Sequence, residues 1–113
     1  MADCIFCRIV AGEVPARVLH SDEVVVAFAD AAPKAPTHVL VVPRAHHGSL
    51  SAVPPGEEAL LGRLLGTCRD LAAKLGLENG YRVVVNTGRE GGQTVDHLHL
   101  HLLGGRDMAW PPG

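Results

Sequence analysis

Three imidazoles in strict alternation stand out in the sequence: Asp96-His97-Leu98-His99-Leu100-His101-Leu102. Side chains alternate faces along a strand, so this spacing predicts three leucines entering a core and three histidines sharing the opposite face. Consecutive imidazoles would stand about 6.6 Å apart, at a rise of about 3.3 Å per residue. Directly upstream lies Gly91-Gly92-Gln93-Thr94. Paired glycines let backbone N–H groups approach an anion, and Thr94 adds a hydroxyl. A glycine turn feeding a histidine row suits a phosphoryl group: donors hold its oxygens while an imidazole attacks phosphorus. A merely solvated strand face would use Thr, Lys or Glu in those places. A zinc enzyme site built from the three histidines fails on geometry, because His97 and His101 would be about 13 Å apart along the strand.

A second set of chemistry-bearing residues opens the chain. Cys4-Ile5-Phe6-Cys7 has the spacing of two zinc ligands on a turn or short helix. It is equally the spacing of two small apolar residues on one helix face. The histidines able to complete a set are His46 or His47, just past a predicted strand, and His97 at the entry of the histidine row. Two cysteines and two histidines make a closed tetrahedral site, hence a structural one. The chain has three cysteines, an odd number that argues against a disulfide framework. Cys68 falls on the apolar face of a predicted helix and belongs to the core, while His20 reads as a surface residue.

The elements that must position these groups follow from pattern and punctuation. Asp3 to Ala11 is predicted as a short helix stopped by Gly12. Arg17 to His20 and Val24 to Ala29 are β-rich runs around Ser21-Asp22-Glu23, a hairpin signal. Thr37 to Val42 is a third strand ended by Pro43. One long helix is predicted over Glu57 to Leu75, with Leu60, Leu61, Leu64, Leu65, Cys68, Leu71, Ala72 and Leu75 as its buried face and Gly76 as its stop. Tyr81 to Asn86 and Val95 to Leu103 complete five strands, and Gly104 to Gly113 is an irregular tail. The order predicts an α+β fold: one mainly antiparallel sheet carrying a long helix, with a short N-terminal helix.

The chain has 113 residues, which fits one domain over residues 1–113. A hydrophobic fraction of 47% and a charged fraction of 19% describe an ordinary globular protein. The net charge of −2 provides no broad basic surface for a nucleic-acid backbone. The longest apolar run, Val24 to Ala29, is far short of the about 20 residues a membrane helix needs. The opening Met1-Ala2-Asp3-Cys4 lacks the regions of a signal peptide, so a cytoplasmic location is expected.

His97-Leu98-His99-Leu100-His101-Leu102-Leu103 resembles the histidine-triad signature, His-x-His-x-His followed by apolar residues. The resemblance covers nearly the whole chain: Phe28-Ala29-Asp30, Ala35-Pro36-Thr37-His38, Val42-Pro43, Asn86-Thr87-Gly88, Gly91-Gly92-Gln93-Thr94-Val95 and Gly104-Gly105-Arg106…Trp110-Pro111-Pro112-Gly113. These motifs are similar to those of the nucleotide-binding, purine nucleoside phosphoramidase branch. That resemblance implies hydrolysis of nucleoside 5′-phosphoramidates through a covalent nucleotidyl-histidine. His99 would be the nucleophile, His101 and Thr94 donors to the phosphate and leaving group, and His38 part of a proton relay. Asp30 would accept the ribose hydroxyls, Ala31 would lie beneath the base, and Asn86, Gly92 and Gln93 would sit on the phosphate side. It also implies a zinc on Cys4, Cys7, His46 and His97, with no part in the chemistry.

Three residues depart from the branch's usual pattern. Thr94 replaces Ser, Asp96 replaces an aromatic residue, and Ala31 is smaller than the usual branched residue. The competing functions are a non-catalytic nucleotide-binding adaptor and a dinucleoside polyphosphate hydrolase. The intact histidine set speaks against the first, and the Trp110-Pro111-Pro112-Gly113 ending against the second. The ending Met108-Ala109-Trp110-Pro111-Pro112-Gly113 is apolar, and left free it would put the only tryptophan in water. A two-fold homodimer is therefore expected, sharing the long helix and fourth strand, with each tail near the other active site. The resemblance implies a dimer of similar form.

Overall fold

The computed structural model describes residues 3–113. Met1 and Ala2, with which the expected domain span begins, lie outside the described residues. Eight elements follow in order: α1 (Ile5–Val10), β1 (Val18–Ser21), β2 (Val25–Ala29), β3 (Thr37–Pro43), a 3₁₀ turn at Leu50–Ala52, α2 (Glu58–Lys74), β4 (Tyr81–Val84) and β5 (Leu100–Gly104). The five strands form one sheet in the order β1-β2-β3-β5-β4, and every neighbouring pair is antiparallel. The expected α+β architecture is the observed one. No helix among the described residues is long and apolar enough to cross a membrane.

Both faces of the sheet are covered, which is why β2 and β3 are apolar almost without alternation. On one face Val25, Ala27, Val39, Val41, Leu98, Leu100 and Leu102 pack against Leu64, Cys68, Leu71 and Ala72 of α2. On the other, Val26, Phe28, Leu40 and Val42 pack under Phe6 of α1. The turn between β1 and β2 is held by the Asp22 carboxylate, which accepts the Val24 and Val25 N–H groups at 2.8 Å each. Gly76, at φ +74°, ends α2 in a left-handed turn. Its N–H donates to the Ala73 carbonyl and that of Leu77 to Ala72, while the Leu77 side chain is buried in the core.

Several boundaries differ from expectation. β1 begins at Val18 and reaches Ser21, β2 begins at Val25, and β3 includes Pro43. α1 is shorter than Asp3 to Ala11 because Cys4 caps it: the Cys4 sulfur accepts the Cys7 N–H at 3.3 Å. β4 stops at Val84, and the chain beyond is drawn aside where the Asn86 amide donates to the Gly91 carbonyl at 2.8 Å. β5 begins at Leu100, not Val95. Val41 pairs with Leu100, so the same register would set Pro43 opposite Leu98, and proline has no N–H to continue the ladder. Leu98 donates instead to the His47 carbonyl at 2.7 Å. Leu65 of α2 and Leu75, which caps its end, are exposed, not part of the buried face, because that face is the narrow stripe through Leu64, Cys68 and Leu71.

Candidate active site and metal centre

The alternation of the histidine row survives the loss of ladder pairing. Leu98, Leu100 and Leu102 all enter the α2 core, and the three imidazoles turn to the α1 face. His99 and His101 line a cavity of about 550 Å³ on that face, bounded by Phe6, Phe28, Leu40, Asp30 and Thr94. Their ring centres are 5.0 Å apart, and Phe6 meets the His99 ring edge-on at 5.1 Å.

Hydrogen bonds fix the tautomers. Nδ1 of His99 lies 2.7 Å from the His97 carbonyl oxygen, which only accepts, so Nδ1 carries the proton and Nε2 keeps its lone pair. The Lys34 N–H donates to Nδ1 of His38 at 3.0 Å, leaving the His38 proton on Nε2. That proton is donated to Nδ1 of His101 at 2.9 Å, with the Asp30 carboxylate 3.4 Å from the same nitrogen. His101 accepts at Nδ1 and therefore keeps an N–H at Nε2. His38 and His101 meet because they are diagonal neighbours across β3 and β5, where His38 pairs with Leu103 and His101 with Leu40.

Burial lowers the pKa of His38 against the pull of Asp30. Burial, with His99 and His38 alongside, pushes His101 down to about 4. Both rings are thus neutral donors and acceptors near pH 7. Asp30, His38 and His101 also bring donor atoms together as a metal site would. Here the His38 Nε2 proton is already donated to Nδ1 of His101 at 2.9 Å, so neither nitrogen has a lone pair free for an ion.

Among the expected binding residues, Asp30, Ala31 and Thr94 line the cavity with His99 and His101. One Asp30 oxygen is also committed to its own turn, accepting the Ala32 N–H at 2.8 Å. Asn86, Gly92 and Gln93 do not line it. The Gln93 amide is spent on bracing, donating to the Gly48 and Val95 carbonyls at 2.8 and 2.9 Å and accepting the Gly88 N–H at 3.0 Å. Gly91 is required there, since a Cβ would stand 2.3 Å from the Thr87 carbonyl oxygen. The sequence reading missed the apolar wall of Phe6, Ile9, Phe28 and Leu40. Its only signal was a short helix with apolar positions and no stated surface to cover.

The cysteines form the second centre. Donor atoms of Cys4, Cys7, His46 and His97 all lie within 4.8 Å of one another. Nδ1 of His46 is 3.2 Å from the Cys7 sulfur, and Nδ1 of His97 is 3.4 and 3.5 Å from the Cys4 and Cys7 sulfurs. A tetrahedral zinc with Zn–S of about 2.3 Å and Zn–N of about 2.0 Å holds S and N about 3.5 Å apart, close to the separations of this set, which fits the ion. Nε2 of His97 is 2.9 Å from the Pro43 carbonyl and must donate to it, which leaves Nδ1 as the lone pair facing the sulfurs. Between the two open candidates the structure selects His46, while His47 contributes its carbonyl to Leu98. Burial and the neighbouring Cys4 sulfur raise the Cys7 pKa, an arrangement that a cation between the sulfurs would relieve.

The profile of the HIT domain family matches residues 11–108. The chain belongs to the HIT domain family. A HIT family hydrolase from Legionella pneumophila Philadelphia 1 superposes with a TM-score of 0.95 at 47% identity, covering 98% of this chain and 100% of that one. A histidine triad nucleotide-binding protein from Candida albicans gives a TM-score of 0.83 at 34% identity, over 96% of this chain and 83% of that one. A relative from Zea mays, named as a 14 kDa zinc-binding protein, is 48% identical over 112 residues, which is 96% of this chain and 87% of its own. This HIT domain therefore carries the histidine row, the covered cavity and the four-donor cluster on a fold shared with hydrolases, nucleotide-binding and zinc-binding proteins.

Proposed function

We propose that this HIT domain hydrolyses purine nucleoside 5′-phosphoramidates through a nucleotidyl-histidine formed on His99. The observation that carries the reading is the 2.7 Å bond from Nδ1 of His99 to a backbone carbonyl, the tautomer that points the Nε2 lone pair toward the cavity. In the first step Nε2 bonds to phosphorus, the P–N bond to the leaving amine breaks, and the amine departs with a proton taken from solvent while Nε2–H of His101 donates a hydrogen bond to the reacting group. In the second, water attacks phosphorus, the bond to His99 breaks, and one water proton returns to solvent. The products are the amine and a nucleoside 5′-monophosphate. His38 orients His101 through their 2.9 Å bond, and Thr94 offers its hydroxyl to the phosphoryl oxygens or leaving group. Asp30 takes the ribose, while Asn86, Gly92 and Gln93 shape the phosphate loop.

Cys4, Cys7, His46 and His97 would hold one structural zinc, whose bonds supply a cross-link and no reaction chemistry. The exposed Trp110, Leu65 and Tyr81 support a homodimer. Mass spectrometry of the protein mixed rapidly with a nucleoside phosphoramidate tests the chemistry. A protein-bound nucleotidyl mass that is lost in His99→Ala is expected. Hydrolysis with no such adduct in single-turnover samples would exclude the covalent route, and binding without turnover would make the domain an adaptor.

A further inference from the structure

We infer that Arg17 reads the edge of the nucleobase and gives the site a preference for 6-oxopurines over adenine, an inference that rests on the nucleotide reading above. The cavity runs across the sheet. His99 and His101 stand at the β5 side, Leu40 comes from β3, Phe28 and Asp30 from β2, and Arg17 immediately before β1 closes the far wall. At about 4.8 Å per strand, β1 lies about 14 Å from β5. A nucleotide with phosphorus at the histidines and ribose at Asp30 directs its base toward β1. Arg17 is fixed there by its backbone, whose carbonyl accepts the Ala29 N–H at 2.9 Å, one residue before Asp30.

Two features single out this side chain. Arg44, Arg63, Arg82 and Arg106 all have polar partners within the molecule, whereas Arg17 and Arg89 have no side-chain hydrogen bond or ion pair among the described residues, and of these two only Arg17 lines the cavity. The rest of that wall, including Ile9, Pro15, Ala16 and Ala31, offers no side-chain donor or acceptor to a base. A guanidinium presents donors only, in a planar fork. Guanine and hypoxanthine show two acceptors, N7 and O6, on one edge, and the fork can engage both. Adenine shows N7 beside an N6 amino donor, which faces the fork with a repelling hydrogen.

The test is calorimetric titration of the full chain with GMP, IMP and AMP, in wild type, Arg17→Met and Arg17→Lys. The expected result is wild-type binding of GMP and IMP roughly tenfold tighter than AMP. In Arg17→Met the ratio falls to near one, and in Arg17→Lys it is intermediate because a point charge lacks the fork. Melting curves confirm that the variants fold. A wild-type ratio near one, a ratio that survives Arg17→Met, or a preference for GMP not shared by IMP would each overturn the inference while leaving the nucleotide site intact. An equal loss for all three ligands would make Arg17 a general anion attractor and also overturn it. Failure of all three nucleotides to bind wild type would take the parent reading with it.

Discussion

A single backbone carbonyl decides what His99 can do, since the proton it holds on Nδ1 is the proton that Nε2 does not carry. Removing the ring removes the proposed path, whereas one charge-assisted hydrogen bond to phosphate contributes only about 1–3 kcal/mol to binding. His99→Ala is therefore expected to lose turnover while binding nucleotide within roughly tenfold of wild type; steady-state hydrolysis above a few per cent would end the assignment. His101 makes a second prediction. Its pKa is about 4 when folded, against about 6.5 for an exposed imidazole. Between those values the unfolded chain binds a proton that the folded chain does not, so this group's contribution to stability is lost as pH falls from about 6.5 to about 4. His38 shifts in the same direction. The lowered Asp22 carboxyl acts only below its ordinary value near 3.8. Acid also strips zinc ligands, but equally in a His101→Asn variant. The melting temperature of that variant should fall less steeply with pH than that of wild type, and parallel slopes would refute the point.

At the scale of elements, most of the fold was legible because its signals are local. The glycine stop of α2, the Ser21-Asp22-Glu23 turn and the period-2 leucines of β5 each depend on a few adjacent residues. The misplaced start of β5 had another origin. Alternation keeps the side chains of His97 to His101 on one face, but the chain bends at Val95 to His97 and strand pairing ends where Pro43 on a different strand cannot donate. Sequence spacing likewise located Cys4 and Cys7, yet could not choose between His46 and His47, because that choice is made by the path of the chain after β3. α1 has only 6 residues, too short to persist on its own packing or propensity. Phe6 forms part of the cavity wall and α1 also carries Cys7, so the proposed zinc ties the base-side wall to the triad strand through His97. A structural zinc contributes on the order of 10 kcal/mol, strongly dependent on pH. Elemental analysis should find one zinc per chain. Chelation and Cys4→Ser should each lower the melting temperature before they lower activity at room temperature, and a Cys4→Ser variant that melts like wild type would remove the structural role.

The β4 side of the molecule is open. β4 is an edge strand, and beside it Leu65 of α2 is 53% exposed and Tyr81 46%. A cavity of about 490 Å³ lies between the C-terminal half of α2 and Tyr81, walled by Arg69, Ala72 and Ala73. The tail adjoins this region, because the Arg82 guanidinium on β4 donates to the Ala109 and Pro112 carbonyls at 3.0 and 3.1 Å. That clamp holds Trp110 outward, 85% exposed. Large aromatic surface in water is costly, and a second copy docked by a two-fold axis along α2 and β4 would cover the helix face, the sheet edge and the tail together. The expected state is a homodimer at micromolar concentration by sedimentation, and a monomer there would end the proposal. Arg82→Ala should loosen the tail without unfolding the domain, since both of its bonds are exposed. Cutting the chain before Met108 goes further. If the tail reaches the partner's cavity, truncation will change the ranking of leaving groups in kcat/KM while the melting temperature stays within a few degrees, a shift of less than about 1 kcal/mol for a domain of this size. An unchanged ranking would reduce the tail to packing.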